Sequence, residues 1–253
     1  MNIEVLGCSG GIGHGLKTTT FLLDETLLVD AGTGIELLTM EQMLKVQDVV
    51  ITHAHIDHII GLPLMLATIY DQHTHPINVY ALPAVIDALQ QHIFNWTIWP
   101  DYTCLPENKP IIHLHRVETG SELTLQNKQI RVLPAEHPTP TAGYLIMDDS
   151  SSFAFTGDSG CNDALWPLLN KYNPDLLIID VSFTDEVDEL ARLSGHLTPS
   201  HLTHQLAQFQ HKDTRIMITH LKPGFEDTIM QQCRKLLPEW QIDRLHHRDL
   251  IQL

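Results

Sequence analysis

Six consecutive residues constrain this chain more than any other feature. His53-Ala54-His55-Ile56-Asp57-His58 sets three imidazoles and a carboxylate directly behind an apolar run at residues 48–52. Such a run bounded by polar residues reads as a short buried strand. In the loop that leaves it, alternate side chains converge. His53 and His55 can therefore share one cation while Asp57 and His58 face a second. Imidazole mixed with carboxylate suits a borderline divalent metal such as zinc, iron or manganese. A fold that uses this turn must bring more ligands to the end of the same strand.

Three later segments offer them in one repeated form, an apolar strand ending in a small turn with a ligand-type residue. Residues 131–135 lead to His137, residues 152–157 to Asp158, and residues 215–219 to His220. Together they complete a two-metal site, with His137 on the first cation, His220 on the second and Asp158 bridging. The 17 histidines, against 15 Lys and Arg together, point the same way, since imidazole is the commonest protein metal ligand.

The rest of the pattern is α/β. Strands are expected at residues 3–6, 19–23, 26–30, 48–52, 77–81, 111–117, 122–126, 129–134, 143–147, 152–156, 176–181 and 215–219, with a further one in the tail 241–253. Helical patterns cover residues 35–45, 61–70, 83–94, 163–169, 200–210 and 227–237. Residues 96–110, rich in Pro and Trp, read as an ordered loop. Hairpins dominate, so a doubly wound parallel sheet fits poorly. No linker or low-complexity tract divides the chain. Residues 1–253 therefore read as one α/β domain with two sheets and helices outside. The glycines at 7, 10, 11, 13 and 15 match neither G-x-G-x-x-G nor a P-loop; they predict a tight loop that brings backbone close to a site.

Charge limits the partners. Lys and Arg number 15 against 31 Asp and Glu, a net of −16, which opposes an extended nucleic acid. No apolar run reaches the roughly 20 residues of a membrane span, and no basic, apolar leader opens the chain, so a cytoplasmic protein is expected. Cys8, Cys104, Cys161 and Cys233 show no C-x-x-C spacing and imply neither a disulfide scaffold nor structural zinc.

The series His53, His55, Asp57, His58, His137, Asp158, His220 resembles the metallo-β-lactamase superfamily over nearly the whole chain. The resemblance implies an αββα four-layer sandwich with a binuclear site at one edge of the sheets. It implies His53, His55 and His137 on one ion, Asp57, His58 and His220 on the other, and Asp158 on both. Within the superfamily, residues 53–63 (HAHIDHIIGLP), 92–101 and Ser194-Gly195-His196-Leu197-Thr198-Pro199 are similar to segments of class II cyclic-nucleotide phosphodiesterases.

That resemblance implies hydrolysis of a small anionic 3′,5′-cyclic nucleotide such as cAMP or cGMP by a water activated between two divalent ions. Zinc is expected, with iron and manganese as alternatives, and a homodimer is compatible with the family. His196 is the expected general acid, Asp180 the carboxylate that orients it, and Asp57 an added aid to the nucleophile. Thr198 before Pro199 reads as a helix N-cap. Phe94, Asn95 and Trp99 are expected to hold the base, aromatic stacking being worth about 1–3 kcal/mol. Two rival readings keep the same ligands: a thioester- or lactone-type carbonyl hydrolase, and a transfer-RNA 3′ processing endonuclease. The second needs a substrate-gripping arm between His137 and Asp158, where only about 20 residues are found, the span of a short hairpin connection.

Overall fold

Period-two alternation on the strands decides the layering. In the computed structural model, which describes residues 1–253, Leu176 and Ile178 face a core between two sheets, while Leu177 and Ile179 face a second core outside. A strand buried on both faces reads as continuously apolar, as residues 176–179 do.

The chain runs β1 (Asn2–Gly7), β2 (Thr20–Leu23), β3 (Leu27–Val29), α1 (Met40–Lys45), β4 (Asp48–Val50), α2 (Ile56–Ile59), α3 (Gly61–Ile69), β5 (Ile77–Ala81), α4 (Pro83–Ala88), β6 (Ile112–Arg116) and β7 (Glu122–Leu125). It continues through β8 (Lys128–Pro134), β9 (Ala142–Met147), β10 (Ser152–Phe155), α5 (Trp166–Tyr172), β11 (Leu176–Asp180), α6 (Asp188–Ser194), α7 (Pro199–Leu206), β12 (Arg215–Thr219), α8 (Glu226–Leu236), β13 (Ile242–Arg244) and β14 (Leu250–Gln252). One sheet has the order β14-β1-β2-β3-β4-β5-β6 and the other β13-β12-β11-β10-β9-β8-β7.

Each sheet is antiparallel through its hairpins and then parallel through its crossovers. The register is parallel from β3 to β6 and again from β10 to β13. The two halves thus repeat one plan, though no sequence repeat announces it. Phe21 from the first sheet meets Phe155 from the second edge-on, with ring centroids 5.2 Å apart. Leu62, Met65 and Leu66 of α3 cover the first sheet, and Trp166, Leu202 and Ile229 cover the second. This is the αββα sandwich. No helix is long and apolar enough to cross a membrane.

Several elements differ from the sequence expectation. Residues 35–45 do not form one helix: a 3-10 turn (Thr33–Leu37) ends at extended Leu38, and Thr39 starts α1 by accepting from the Gln42 backbone N–H while the Gln42 side chain accepts from Thr39 N–H. That capping box outcompetes continuity. Residues 83–94 loosen after α4 into a π-helical turn (Leu89–Ile93). The helix expected at 163–169 forms three residues later as α5, with Pro167 in its first turn. Helix α6 has no counterpart in the sequence reading.

The functional consequence is that all the ligand-type residues sit at one end of the sandwich. Asp30 follows β3, His53 to His58 follow β4, His137 follows β8, Asp158 follows β10, Asp180 ends β11 and His220 follows β12.

Candidate metal centre

The loops after β4, β8, β10 and β12 close around the Asp158 carboxylate. Its Oδ2 lies 3.3 Å from His58 Nε2, 3.3 Å from His220 Nε2 and 3.7 Å from His53 Nε2. Asp57 Oδ2 stands 3.4 Å from His220 Nε2 and 3.8 Å from His58 Nε2. His55 Nδ1 and His137 Nε2 are 3.2 Å apart. The donor atoms fall into two groups, His53–His55–His137–Asp158 and Asp57–His58–His220, each with its atoms within 4.8 Å of one another. All seven residues named from the sequence are thereby brought together. One nitrogen of His196 joins a third group with Asp158 and His220.

The orientation of the rings depends on groups that sequence reasoning did not find. Asp30 is fully buried. It accepts from His58 Nδ1 at 2.7 Å, from the Thr52 hydroxyl at 2.8 Å and from Thr52 N–H at 2.7 Å. Having spent its proton on Asp30, the Thr52 hydroxyl accepts from His53 Nδ1 at 3.0 Å. Both rings then carry hydrogen on Nδ1 and turn Nε2 to the centre. His137 Nδ1 donates to Gly195 O at 2.9 Å and is fixed likewise. Gly195 adopts φ +68, and a Cβ there would press on His137 Nδ1 at 3.0 Å. A metal-bound imidazole is normally held in this way by a carboxylate, carbonyl or hydroxyl on its other nitrogen.

These atoms fit divalent cations. His53 Nε2, His58 Nε2 and Asp158 Oδ1 are buried with no hydrogen-bond partner, a costly condition unless a ligand satisfies them. Burial holds His53 well below its ordinary pKa and lowers His55 and His137, which keeps all three in the neutral, ligating form. Burial opposes ionisation of Asp158, but His220 and His58 outweigh it and hold the carboxyl well below its usual range. Burial also opposes charge on His58, yet Asp158 and Asp30 hold its pKa well above normal, so its Nε2 carries a proton toward Asp158 that a bound cation would displace. The centre therefore draws positive charge to the place a cation would take.

His196, 7% exposed, lies beside the centre. Its Nδ1 donates to Asp180 Oδ2 at 2.7 Å, and its ring stacks on His220 with centroids 5.1 Å apart. Burial works against its protonation, but Asp180 raises its pKa. Thr198 caps α7, its hydroxyl accepting from His201 N–H at 3.3 Å. The Gly-rich loop also behaves as expected: Gly10 packs so closely on the His220 carbonyl that a Cβ would collide with it.

Three expected substrate contacts have another job. Phe94 is 2% exposed and packs near Tyr102 in the first core. The Asn95 side chain closes its own loop, donating to Gln91 O and accepting from the Thr97 and Ile98 N–H groups. Trp99 bridges Phe94 and packs on the core. Their polarity and aromaticity serve the 94–102 turn, so the expectation that this segment holds a base is corrected for the buried Phe94, while Asn95 and Trp99 are engaged within their own turn. The ring this segment does expose is Trp96, at 63%.

Comparison with known proteins follows the same line. The family described as "Beta-lactamase superfamily domain" matches residues 25–221. A "Probable 3′,5′-cyclic-nucleotide phosphodiesterase" of Yersinia pestis is 28% identical over 74% of this chain. The chain spans only 60% of that relative's length. A "3′,5′-cyclic-nucleotide phosphodiesterase" of Aliivibrio fischeri is 26% identical over 88% of this chain and 82% of its own. Proteins named ribonuclease Z also match, at 28% identity and below. The crystal structure of unliganded yeast PDE1 superposes with a TM-score of 0.86 at 20% identity, covering 100% of this chain and 99% of that one, a likeness of fold.

Proposed function

The chain belongs to the beta-lactamase superfamily, and from that premise we propose that it is a phosphodiesterase that opens a small 3′,5′-cyclic nucleotide such as cAMP or cGMP. The observation that carries this reading is the pairing of two donor groups around Asp158 with a carboxylate-held imidazole, His196, at their side. The names of the matched relatives support the same reaction class.

His53, His55 and His137 would hold one divalent cation, Asp57, His58 and His220 another, and Asp158 both; zinc is the first choice, iron or manganese the alternatives. Such cations supply Lewis-acid charge that acidifies water and offsets charge on a phosphoryl oxygen. The residues of the chain do the rest. Asp30 and Thr52 keep hydrogen on the Nδ1 atoms of His58 and His53, so each Nε2 stays a lone-pair donor. Asp57 Oδ2 borders the open face and can orient the attacking water. Asp180 pins His196 through Nδ1, which leaves Nε2 to carry the proton that the departing ribose oxygen needs. Asp180 also favours the imidazolium form that a general acid requires.

Between His137 and Asp158 the chain makes only the hairpin of β9 and β10, paired from Ser152–Met147 onward, with no extended arm. With the net charge of −16, this favours a small substrate over transfer RNA. The test is cation analysis of the purified protein, followed by turnover of cAMP, cGMP, 2′,3′-cyclic nucleotides, cyclic dinucleotides, bis(p-nitrophenyl) phosphate, a transfer-RNA precursor, and thioester and lactone panels. Two cations per chain with a cyclic mononucleotide as best substrate is the expected result. Faster cleavage of a thioester, a lactone or the RNA overturns it.

A further inference from the structure

We propose that Ser182 is a positioning residue that couples the cation ligand His220 to the proton donor His196 by making Asp180 common to both. This rests on the two-cation reading above.

Ser182 is fully buried, two residues beyond Asp180. Its Oγ lies 2.6 Å from Asp180 Oδ1, 2.8 Å from His220 Nδ1, 3.0 Å from His220 O and 3.2 Å from His196 Nδ1. A hydroxyl has one hydrogen to give. The shortest contact, to an ionised acceptor, takes it, so Ser182 donates to Asp180 Oδ1. The lone pairs of Ser182 then face His220 Nδ1, which must donate. That leaves His220 with a bare Nε2, the atom that faces Asp57 and Asp158. On its other oxygen, Asp180 accepts from His196 Nδ1 at 2.7 Å and from Ser159 N–H at 3.3 Å. One carboxylate therefore sets the tautomer of His220 through Ser182 and that of His196 directly. The first half of the molecule contains the same device: Thr52 stands between Asp30 and His53 as Ser182 stands between Asp180 and His220.

The test uses the full chain with Ser182→Ala, Ser182→Cys, Ser182→Thr and the double variant Ser182→Ala/His196→Ala. Circular dichroism and thermal melts establish that each is folded. Cation retention is read by metal analysis after dialysis against graded chelator, and kcat and KM are read separately with cAMP, whose departing ribose oxygen needs a proton. Loss of such an outer partner typically weakens metal binding about 10–100-fold. Ser182→Ala should release one cation at correspondingly lower chelator and lower kcat more than KM. Cysteine, which keeps the volume but donates weakly, should behave like alanine, and threonine should restore retention. In the His196→Ala background, Ser182→Ala should still loosen the cation but cost little further kcat.

Unchanged retention in Ser182→Ala, or a cysteine variant equal to wild type, overturns the role of the hydroxyl. Full additivity of the kcat losses overturns the coupling to His196. Wild type that binds no cation overturns this inference together with the two-cation reading. Wild type that binds two, beside a Ser182→Ala chain that holds them equally well, overturns this inference alone.

Discussion

Asp30 and Asp180 occupy corresponding places in the two sheets. Each lies at the carboxyl end of a strand with a parallel neighbour, and each is fully buried. Each accepts from an imidazole Nδ1 at 2.7 Å and from a hydroxyl, Thr52 at 2.8 Å or Ser182 at 2.6 Å. In each case the hydroxyl touches the Nδ1 of a second imidazole, that of His53 or of His220. The difference lies in what the imidazoles do next. Around Asp30 both rings, His53 and His58, point to the cation positions. Around Asp180 His220 meets Asp57 and Asp158, while His196, one nitrogen of which lies beside Asp158 and His220, is the proposed proton donor. In the proposed function the same local chemistry thus makes a holder of metal in one half and a holder plus an acid in the other.

The largest effect should come from removing the holder. Asp30→Ala strands His58 Nδ1 and the Thr52 hydroxyl in a dry interior. Breaking one side of a buried pair of this kind costs about 3–5 kcal/mol. Urea unfolding should show a loss of that order, and metal analysis should find the cations depleted. A variant with wild-type stability and full cation content would mean that Asp30 only fills space, and the two halves would no longer be comparable.

The counterpart change in the other half separates chemistry from holding. His196→Ala should keep both cations and lose roughly 10²–10⁴-fold in kcat, the usual range for a general acid. Asp180→Asn should lose both turnover and part of the cation at His220, because it serves both rings. Equal turnover in His196→Ala would remove His196 from the reaction and make the Asp180 half a plain copy of the Asp30 half.

A smaller change sharpens the contrast. Thr52→Val keeps the shape and removes the hydroxyl that accepts from His53. Cation affinity should fall about 10–100-fold, while kcat at saturating cation stays close to wild type. A kcat loss that survives saturation would show that Thr52 reaches the chemistry as Ser182 is proposed to do.

Why the donors of the candidate metal centre could be read from the chain and their supports could not is a matter of distance along it. The turn at 53–58 is contiguous, and His137, Asp158 and His220 each end an apolar strand, so period and punctuation locate them. Asp30 also ends such a run, but an acidic residue closing a strand is ordinary. Its meaning comes from Thr52 and His58, which approach only when β3 and β4 pair. Ser182 is a common residue whose partners lie 14 and 38 positions away. The fold shows the same division. Strands with two buried faces, such as 176–179, declare themselves by composition. Helix α6 does not, because it buries only Ala191 and exposes Leu190 and Leu193 at 51% and 74%, which leaves no apolar stripe to detect. The 94–100 segment misled for the opposite reason: aromatics and an amide have the chemistry of a binding loop whether they face a ligand or the core.

The last contrast is access. His53 and His58 in the Asp30 half have no exposed surface. The Asp180 half opens onto a cleft of about 580 Å³ lined by His137, Gly195, His196, Arg192, His204 and Cys161. Cys161 is exposed, as is Cys104, whereas Cys8 and Cys233 are buried and burial pushes their thiols up to about 12. Iodoacetamide should therefore label Cys104 and Cys161 in the folded protein and reach the other two only after unfolding, as peptide mass mapping would show. Because Cys161 shares the cleft with His196, its carboxamidomethyl group should raise KM while leaving the cations in place, an effect smaller than any above and absent from Cys161→Ser treated the same way. Loss of cations on labelling would instead tie that wall of the cleft to the metal centre, and the boundary between holding and chemistry would have to be redrawn through His137.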